Sequence, residues 1–286
     1  MKKNMPPTEH QQNNFDFIRV VAAFCVIVSH QFALAGLREP SVLDVHSIGG
    51  FGVLVFFSIS GYLVSKSWEA DPNAFRFLLK RFLRIWPGLA VVVLLAALVL
   101  GPLVSKLSLH DYYFHPLMAV LKWRPEQRFA LEFSLFFFAG VLFHQLDVQA
   151  SVKRQRWALA LCLCAALIAN ALHRPLLSLW LAVPMTTLIF GTASTACIRH
   201  TGRYGDVSYG LYLYAFPVQQ TLFWLYKDKL SWPVLLGLVS AITWCLAFAS
   251  WHLVEKMALR LKPGRSTPID VTPMVAVCLM IFVVLR

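Results

Sequence analysis

Arg19 and His30 stand eleven residues apart in an otherwise apolar stretch, Asp16-Phe-Ile-Arg19-Val-Val-Ala-Ala-Phe-Cys-Val-Ile-Val-Ser-His30. A cation in a bilayer helix costs several kcal/mol, so it usually faces the bundle interior and marks function. Eleven residues is close to three turns, which sets both side chains on nearly one face, about 16 Å apart along the axis. Arg19 could also snorkel to the headgroups from the helix end, whereas His30 has no such escape. A guanidinium at one mouth and an imidazole deeper in suit a long anionic donor that threads its reactive end inward. Histidine is the usual general base for activating a hydroxyl, because its pKa lies near the working pH.

A second group lies in Phe75-Arg76-Phe77-Leu78-Leu79-Lys80-Arg81-Phe82-Leu83-Arg84-Ile85-Trp86-Pro87. Arg76, Lys80 and Arg84 recur every fourth residue and form one helical stripe, with Arg81 beside it. Like charges at that spacing repel, so the stripe favours an anion nearby. Phosphate is the natural candidate, from lipid or from a phosphorylated substrate. A third stretch, Gly49-Gly50-Phe51-Gly52 through Ser58-Ile59-Ser60-Gly61, permits close helix approach, and packing explains it better than a serine nucleophile. Further on, Gly205 to Gln220 carries Pro217 and polar groups that could line a cavity. His252 and Glu255, three apart at a helix end, are placed to pair with each other.

These groups must be positioned by membrane helices. Hydrophobic residues make up 58% of 286 and the mean hydropathy is +0.63, against about 45–50% apolar usage in soluble domains. The expected fold is an all-α, polytopic integral membrane bundle of eight to nine transmembrane helices. The spans fall near Phe17–Leu34, Phe51–Val64, Ile85–Val104, Phe129–Leu146, Trp157–Ala171, Leu176–Thr195, Tyr209–Tyr226 and Trp232–Leu253. The second and fifth are short and should extend into their flanks. A ninth, Val271–Leu285, would reach only about 22 Å as a helix. Residues 1–14 then form an N-terminal tail, 15–260 the membrane domain and 261–286 a C-terminal tail, with no room for a separate catalytic domain.

The net charge of +12 does not point to nucleic acid, because of where the charges fall. With the N-terminus in the cytoplasm, every short inner loop is basic, including those around Arg81, Arg154, Arg203 and Arg260, as the positive-inside rule requires. These residues orient the protein and meet anionic headgroups. Lys2-Lys3, an apolar core and Ala33-Leu34-Ala35 imitate a signal peptide, but Glu9, Asp16 and Arg19 break the pattern, so the first helix is expected to be retained. The six cysteines are scattered through apolar segments without metal-ligand spacing and read as small buried hydrophobes. No metal site, Walker loop, dinucleotide fingerprint or internal repeat is found.

Together these segments resemble the acyltransferase-3 family, bacterial membrane acyltransferases that include O-antigen and exopolysaccharide acetylases. Asp16 to His30 looks like the family's Arg-x10-His element, and Phe56-Phe57-Ser58-Ile59-Ser60-Gly61-Tyr62 like its Phe-Phe-x-Ile-Ser-Gly-Phe signature. Arg81-Phe-Leu-Arg84 resembles the cytoplasmic Arg-x-x-Arg pair. Ser208-Tyr209-Gly210-Leu211-Tyr212 and Leu253-Val254-Glu255-Lys256 resemble the late motifs. The resemblance implies transfer of an acyl group, acetyl in the first instance, from acyl-CoA to a hydroxyl of a surface carbohydrate or lipid-linked glycan, at the bacterial cytoplasmic (inner) membrane. It gives His30 and Arg19 catalytic parts, and Arg19, Arg81 and Arg84 parts in binding the donor. The donor is a substrate; no permanently bound cofactor is implied.

One family feature is missing. The central Trp-Ser/Thr-Leu-x-x-Glu element has no match, and eight spans stand where the family typically has ten, so an even number, most simply two, is absent. Glu132 is an isolated acidic residue that could substitute. Two other classes fit the intramembrane charges: a flippase or permease for a lipid-linked sugar, and a non-catalytic relative that binds acyl-CoA or a partner. A permease would be expected to repeat the Arg19–His30 pattern in an inverted copy, and no second copy is seen.

Overall fold

A computed structural model describes residues 13–104 and 127–263. The span expected at 271–285 lies outside the described residues. The chain is built from α1 (Phe15–Leu34), a hairpin of β1 (Ser41–Val42) and β2 (His46–Ser47), α2 (Ile48–Ala70), α3 (Ala74–Leu95), α4 (Gln127–Gln145), α5 (Val152–Ala171), α6 (Pro175–Thr192), α7 (Val207–Tyr226) and α8 (Trp232–Ser250). α3 runs on through a wider turn, Ala96–Leu100, into Gly101–Val104. α8 runs on through a similar turn, Trp251–Glu255, into Lys256–Leu259. The hairpin pairs Ser41 with Ser47 and Val42 with His46, antiparallel.

Five of these segments are long and apolar enough to cross a membrane: Phe15–Leu34, Ile48–Ala70, Ala74–Leu100, Pro175–Thr192 and Trp232–Leu259. α4, α5 and α7 have similar lengths, at 19, 20 and 20 residues. The second and fifth helices extend past the apolar runs, to Ile48–Ala70 and Val152–Ala171. The third starts well before its run, so the basic stripe is itself helical. Local chemistry sets the starts. Ser47 caps α2 by accepting from the Gly50 amide at 3.1 Å, and Asn73 caps α3 through the Arg76 amide at 3.0 Å. Pro175 opens α6 where its missing N–H is not needed.

Helix α1 is the organising element, packed against α2, α6, α7 and α8. Its start is pinned by the buried Asn14, whose amide donates to Phe190 O at 2.9 Å and Thr195 Oγ1 at 3.0 Å and accepts from the Thr195 amide at 3.1 Å. One apolar cluster joins Phe15, Ala22, Leu54, Ile59, Tyr62, Phe136 and Leu188; another joins Ile27 to Ala215, Leu222, Leu235 and Val239. Gly61 and Gly140 face each other's helix so closely that a Cβ on either would overlap backbone, Phe137 O and Ser58 O respectively. Small residues let α2 and α4 reach that distance. Ser58 is fully buried and donates to Leu54 O at 2.9 Å, which agrees with packing rather than nucleophilic duty.

The outer surface is apolar: Leu161 is 73% exposed and Leu253 71%. A face of that kind is stable against lipid rather than water. Among the described cysteines, Cys164, Cys197 and Cys245 are exposed, and only Cys25 and Cys162 are partly covered. The expectation that all six are buried is therefore corrected: three sit on the outward faces of their segments.

Candidate functional site

Two groups of polar side chains lie at opposite ends of α1. At the first end, Arg19 is buried between two carboxylates. Its Nη2 donates to Asp16 Oδ1 and its Nη1 to Asp206 Oδ2 at 3.1 Å. Arg84, reaching in from α3, donates to the same Asp206 oxygen, and Ser208 Oγ donates to Asp206 Oδ1 at 2.5 Å. Two guanidiniums and two carboxylates thus close on one another. Burying an ion costs several kcal/mol, and only such mutual compensation makes it tolerable in a dry interior. Gly202 lies over this group; a Cβ there would collide with Asp16 Oδ2.

The stripe on α3 is compensated in the same way. Asp71, in the turn before α3, accepts from Arg76 Nη2 at 2.9 Å and from Lys80 Nζ at 2.7 Å. These bonds hold the Asp71 carboxyl down at about 2, the bond from Arg76 contributing most. The anion expected beside the stripe is thus supplied by the protein itself, Asp71 for Arg76 and Lys80, and Asp206 for Arg84. Arg81 differs: it has a long bond to Leu63 O at 3.4 Å and lies 5.3 Å from the centre of the Phe77 ring. Lys262, just past the last turn, faces this stripe. Loss of surrounding water first, and then the like charges of Arg84, Arg81 and Lys80, push its ammonium down to about 8.

At the other end, His30 stacks edge-on against Phe216 at 5.1 Å, and its buried Nδ1 has no partner among the described residues. The fully buried Gln31 and Gln219 lie beside it. Gln219 Nε2 donates to Ile27 O at 2.7 Å and Gln31 Oε1 at 3.3 Å, while Gln31 Nε2 and Gln219 Oε1 also lack partners. Glu39 accepts from Ser29 Oγ, and its charge reaches His30. Glu132, on α4, bonds His46 of the hairpin, Nε2 to Oε1 at 2.8 Å.

Arg19 and His30 share a helix face but not a site: each has its own neighbours at its own end. His252 and Glu255 do not pair. His252 Nδ1 lies 2.9 Å from Phe248 O on the exposed side, while Glu255 is buried and accepts from Ser250 Oγ at 3.0 Å. The wider turn at Trp251–Glu255 shifts their relative angle, which three-residue spacing in a regular helix would not. Asp206, the shared partner of Arg19 and Arg84, was not singled out by its sequence context, although it sits one residue before α7 and two before Ser208. His46, Glu39 and Gln31 carried no local signal.

A helical protein with apolar outer faces and ionisable groups gathered at two ends of its central helix is a membrane protein. The family model described as an acyltransferase domain matches residues 12–124. The chain is 28% identical to an O-acetyl transferase of Shigella phage Sf6 over 335 residues, covering 91% of this chain and 98% of the phage protein. It is 39% identical over 120 residues to nodulation protein 10 of Rhizobium leguminosarum bv. viciae, covering 38% of this chain and 32% of that one. It is 26% identical over 211 residues to the acyltransferase MdmB of Streptomyces mycarofaciens, covering 67% and 51%. These matches agree with the resemblance to the acyltransferase-3 family: an acyltransferase-domain model over the N-terminal part of the chain, and similarity along nearly all of it to a protein named an O-acetyl transferase. No solved structure matches it.

Proposed function

We propose that this protein moves an acyl group, acetyl in the first instance, from acyl-CoA to a hydroxyl of a cell-surface carbohydrate at the bacterial inner membrane, which it crosses several times. The observation that carries the reading is His30: a histidine within a spanning helix, its Nδ1 without a protein partner, beside unpartnered amide groups of Gln31 and Gln219. An imidazole so placed can take the proton from an acceptor hydroxyl as the oxygen attacks the thioester carbonyl. The C–S bond then breaks, and the proton leaves with the thiolate as CoA-SH. The donor's phosphates fall to the α3 end, where Arg81 and Lys262 have no carboxylate partner among the described residues. Arg84 and Arg19 form the post that holds α1, α3 and α7 in register there. In this reading Arg19 supports the donor site through Asp206, and its loss would impair donor binding and turnover together.

The phage relative is named an O-acetyl transferase, which favours acetyl as the group carried. Its alignment of 335 positions exceeds this chain's 286 residues, so the phage protein carries residues with no counterpart here. That fits a shortened centre. The purified protein in detergent, given radiolabelled acetyl-CoA and a panel of alkyl glycosides, should release CoA-SH and form labelled ester. Failure to bind acetyl-CoA would sink the reading in favour of a permease.

A further inference from the structure

The hairpin between α1 and α2 holds His46 against Glu132, an acid 86 residues away on α4. Neither residue is needed by the donor or by His30. Their side chains keep 13% and 15% of their surface open, so the pair is enclosed but not sealed. A link between hairpin and α4 could be made more cheaply from apolar side chains, because a buried acid must be desolvated before its partner compensates it. An ionisable residue in a largely apolar helix is, by default, a mark of function.

From this geometry we infer that His46 and Glu132 form a subsite for hydroxyl groups of a polyhydroxylated acceptor, a reading that rests on the acyl-transfer function above. A carboxylate bonded to Nε2 selects the tautomer with its proton on that nitrogen, which leaves Nδ1 as an acceptor. The Glu132 carboxylate has a second oxygen, for which no bond is recorded among the described residues. Together they offer two acceptors, one on each side of the His46–Glu132 bond, for two hydroxyl donors of one polyhydroxylated ligand.

The position relative to His30 supports this. Gly49, the second residue of α2, lies against Ser29, the neighbour of His30. Gly50, the next residue, lies against His46: a Cβ on it would stand 3.5 Å from Nδ1. The first turn of α2 therefore joins the subsite to Ser29, the residue next to the one that would act as base. A sugar held at His46 and Glu132 would place a further hydroxyl toward His30, and the pair would select which hydroxyl is esterified.

The test uses the full chain in detergent with labelled acetyl-CoA and a panel of alkyl glycosides and their monodeoxy analogues. His46→Ala should raise the glycoside KM about tenfold, the weight of roughly one hydrogen bond of 1.4 kcal/mol. Turnover at saturating glycoside and the Kd for acetyl-CoA should stay close to the parent's. His46→Asn, whose amide oxygen can stand where Nδ1 does, should recover most of the loss. Glu132→Gln should raise KM several-fold, and should lose the discrimination against one deoxy analogue. An unchanged KM in His46→Ala would overturn the inference. So would a parent that binds acetyl-CoA but esterifies no glycoside. A variant that loses thermal stability and donor binding together, without rescue by Asn, would make the pair a tether only. A parent that fails to bind acetyl-CoA defeats the acyl-transfer reading itself.

Discussion

The two ends of α1 handle buried polar groups in opposite ways. Around Arg19, each charge is met by another, with Asp16, Asp206 and Arg84 closing on one another and Ser208 bonded to Asp206, and only Arg19 Nε lacks a partner among the described residues there. Around His30, groups that ought to be met are not, since His30 Nδ1, Gln31 Nε2 and Gln219 Oε1 all lack partners among the described residues. A buried polar atom without a partner costs about 1–3 kcal/mol, so three of them gathered at one place favour a ligand that supplies the bonds. A closed network holds helices together, and an open one is kept for a substrate. Both lie on one helix, so their different fates come from what the other helices bring to each end.

The largest expected effect is at the open end. His30→Ala should lower acyl transfer by about 10²–10⁴-fold, the usual weight of a general base. It should leave insertion and acetyl-CoA binding largely intact. Labelled transfer measured beside equilibrium binding of the donor checks this, and wild-type turnover would demote His30 to packing.

At the closed end the loss should appear as stability. Asp206→Asn leaves Arg19 with Asp16 alone and removes the carboxylate bonded to Arg84, and breaking a buried pair from one side typically costs about 3–5 kcal/mol. Chemical unfolding in detergent should show a clear drop for Asp206→Asn and almost none for His30→Ala. Equal drops would erase the contrast between the ends.

A smaller effect sharpens the boundary between them. If Arg81 contacts a donor phosphate, Arg81→Ala should weaken acetyl-CoA about tenfold, one charge-assisted bond of about 1.5 kcal/mol. Arg81→Lys should weaken it less, because a point charge replaces a planar fork. A parent-like Kd in both variants would leave Arg81 as a lipid contact.

The smallest effect concerns the turn before α3. The Asp71 carboxyl titrates at about 2, below its unfolded value near 4. Its contribution is therefore complete above about pH 4 and is lost as the pH falls through 2. Asp71→Asn should lower stability slightly at neutral pH, remove its fall between about pH 4 and pH 2, and leave transfer at neutral pH unchanged.

Membrane character, the basic stripe on α3 and the Arg19–His30 spacing were all legible from residue order, because each depends on composition or on the 3.6-residue turn. The motifs were legible for the same reason, and the family match over residues 12–124 spans the first three of them. The partners were not. Arg19 meets Asp206 across 187 positions, and His46 meets Glu132 across 86. His252 and Glu255 show the converse error, in which neighbours by spacing are parted by an irregular turn. What the sequence alone determined, then, is which helices form and which residues each one displays, since those follow from local hydrogen bonding and periodic hydrophobicity. Which cations are neutralised and which polar atoms are left open was decided only by how α1, α2, α3, α4 and α7 come together in the fold, because a charge's partner is set by distance in space, and spacing along one helix does not encode it.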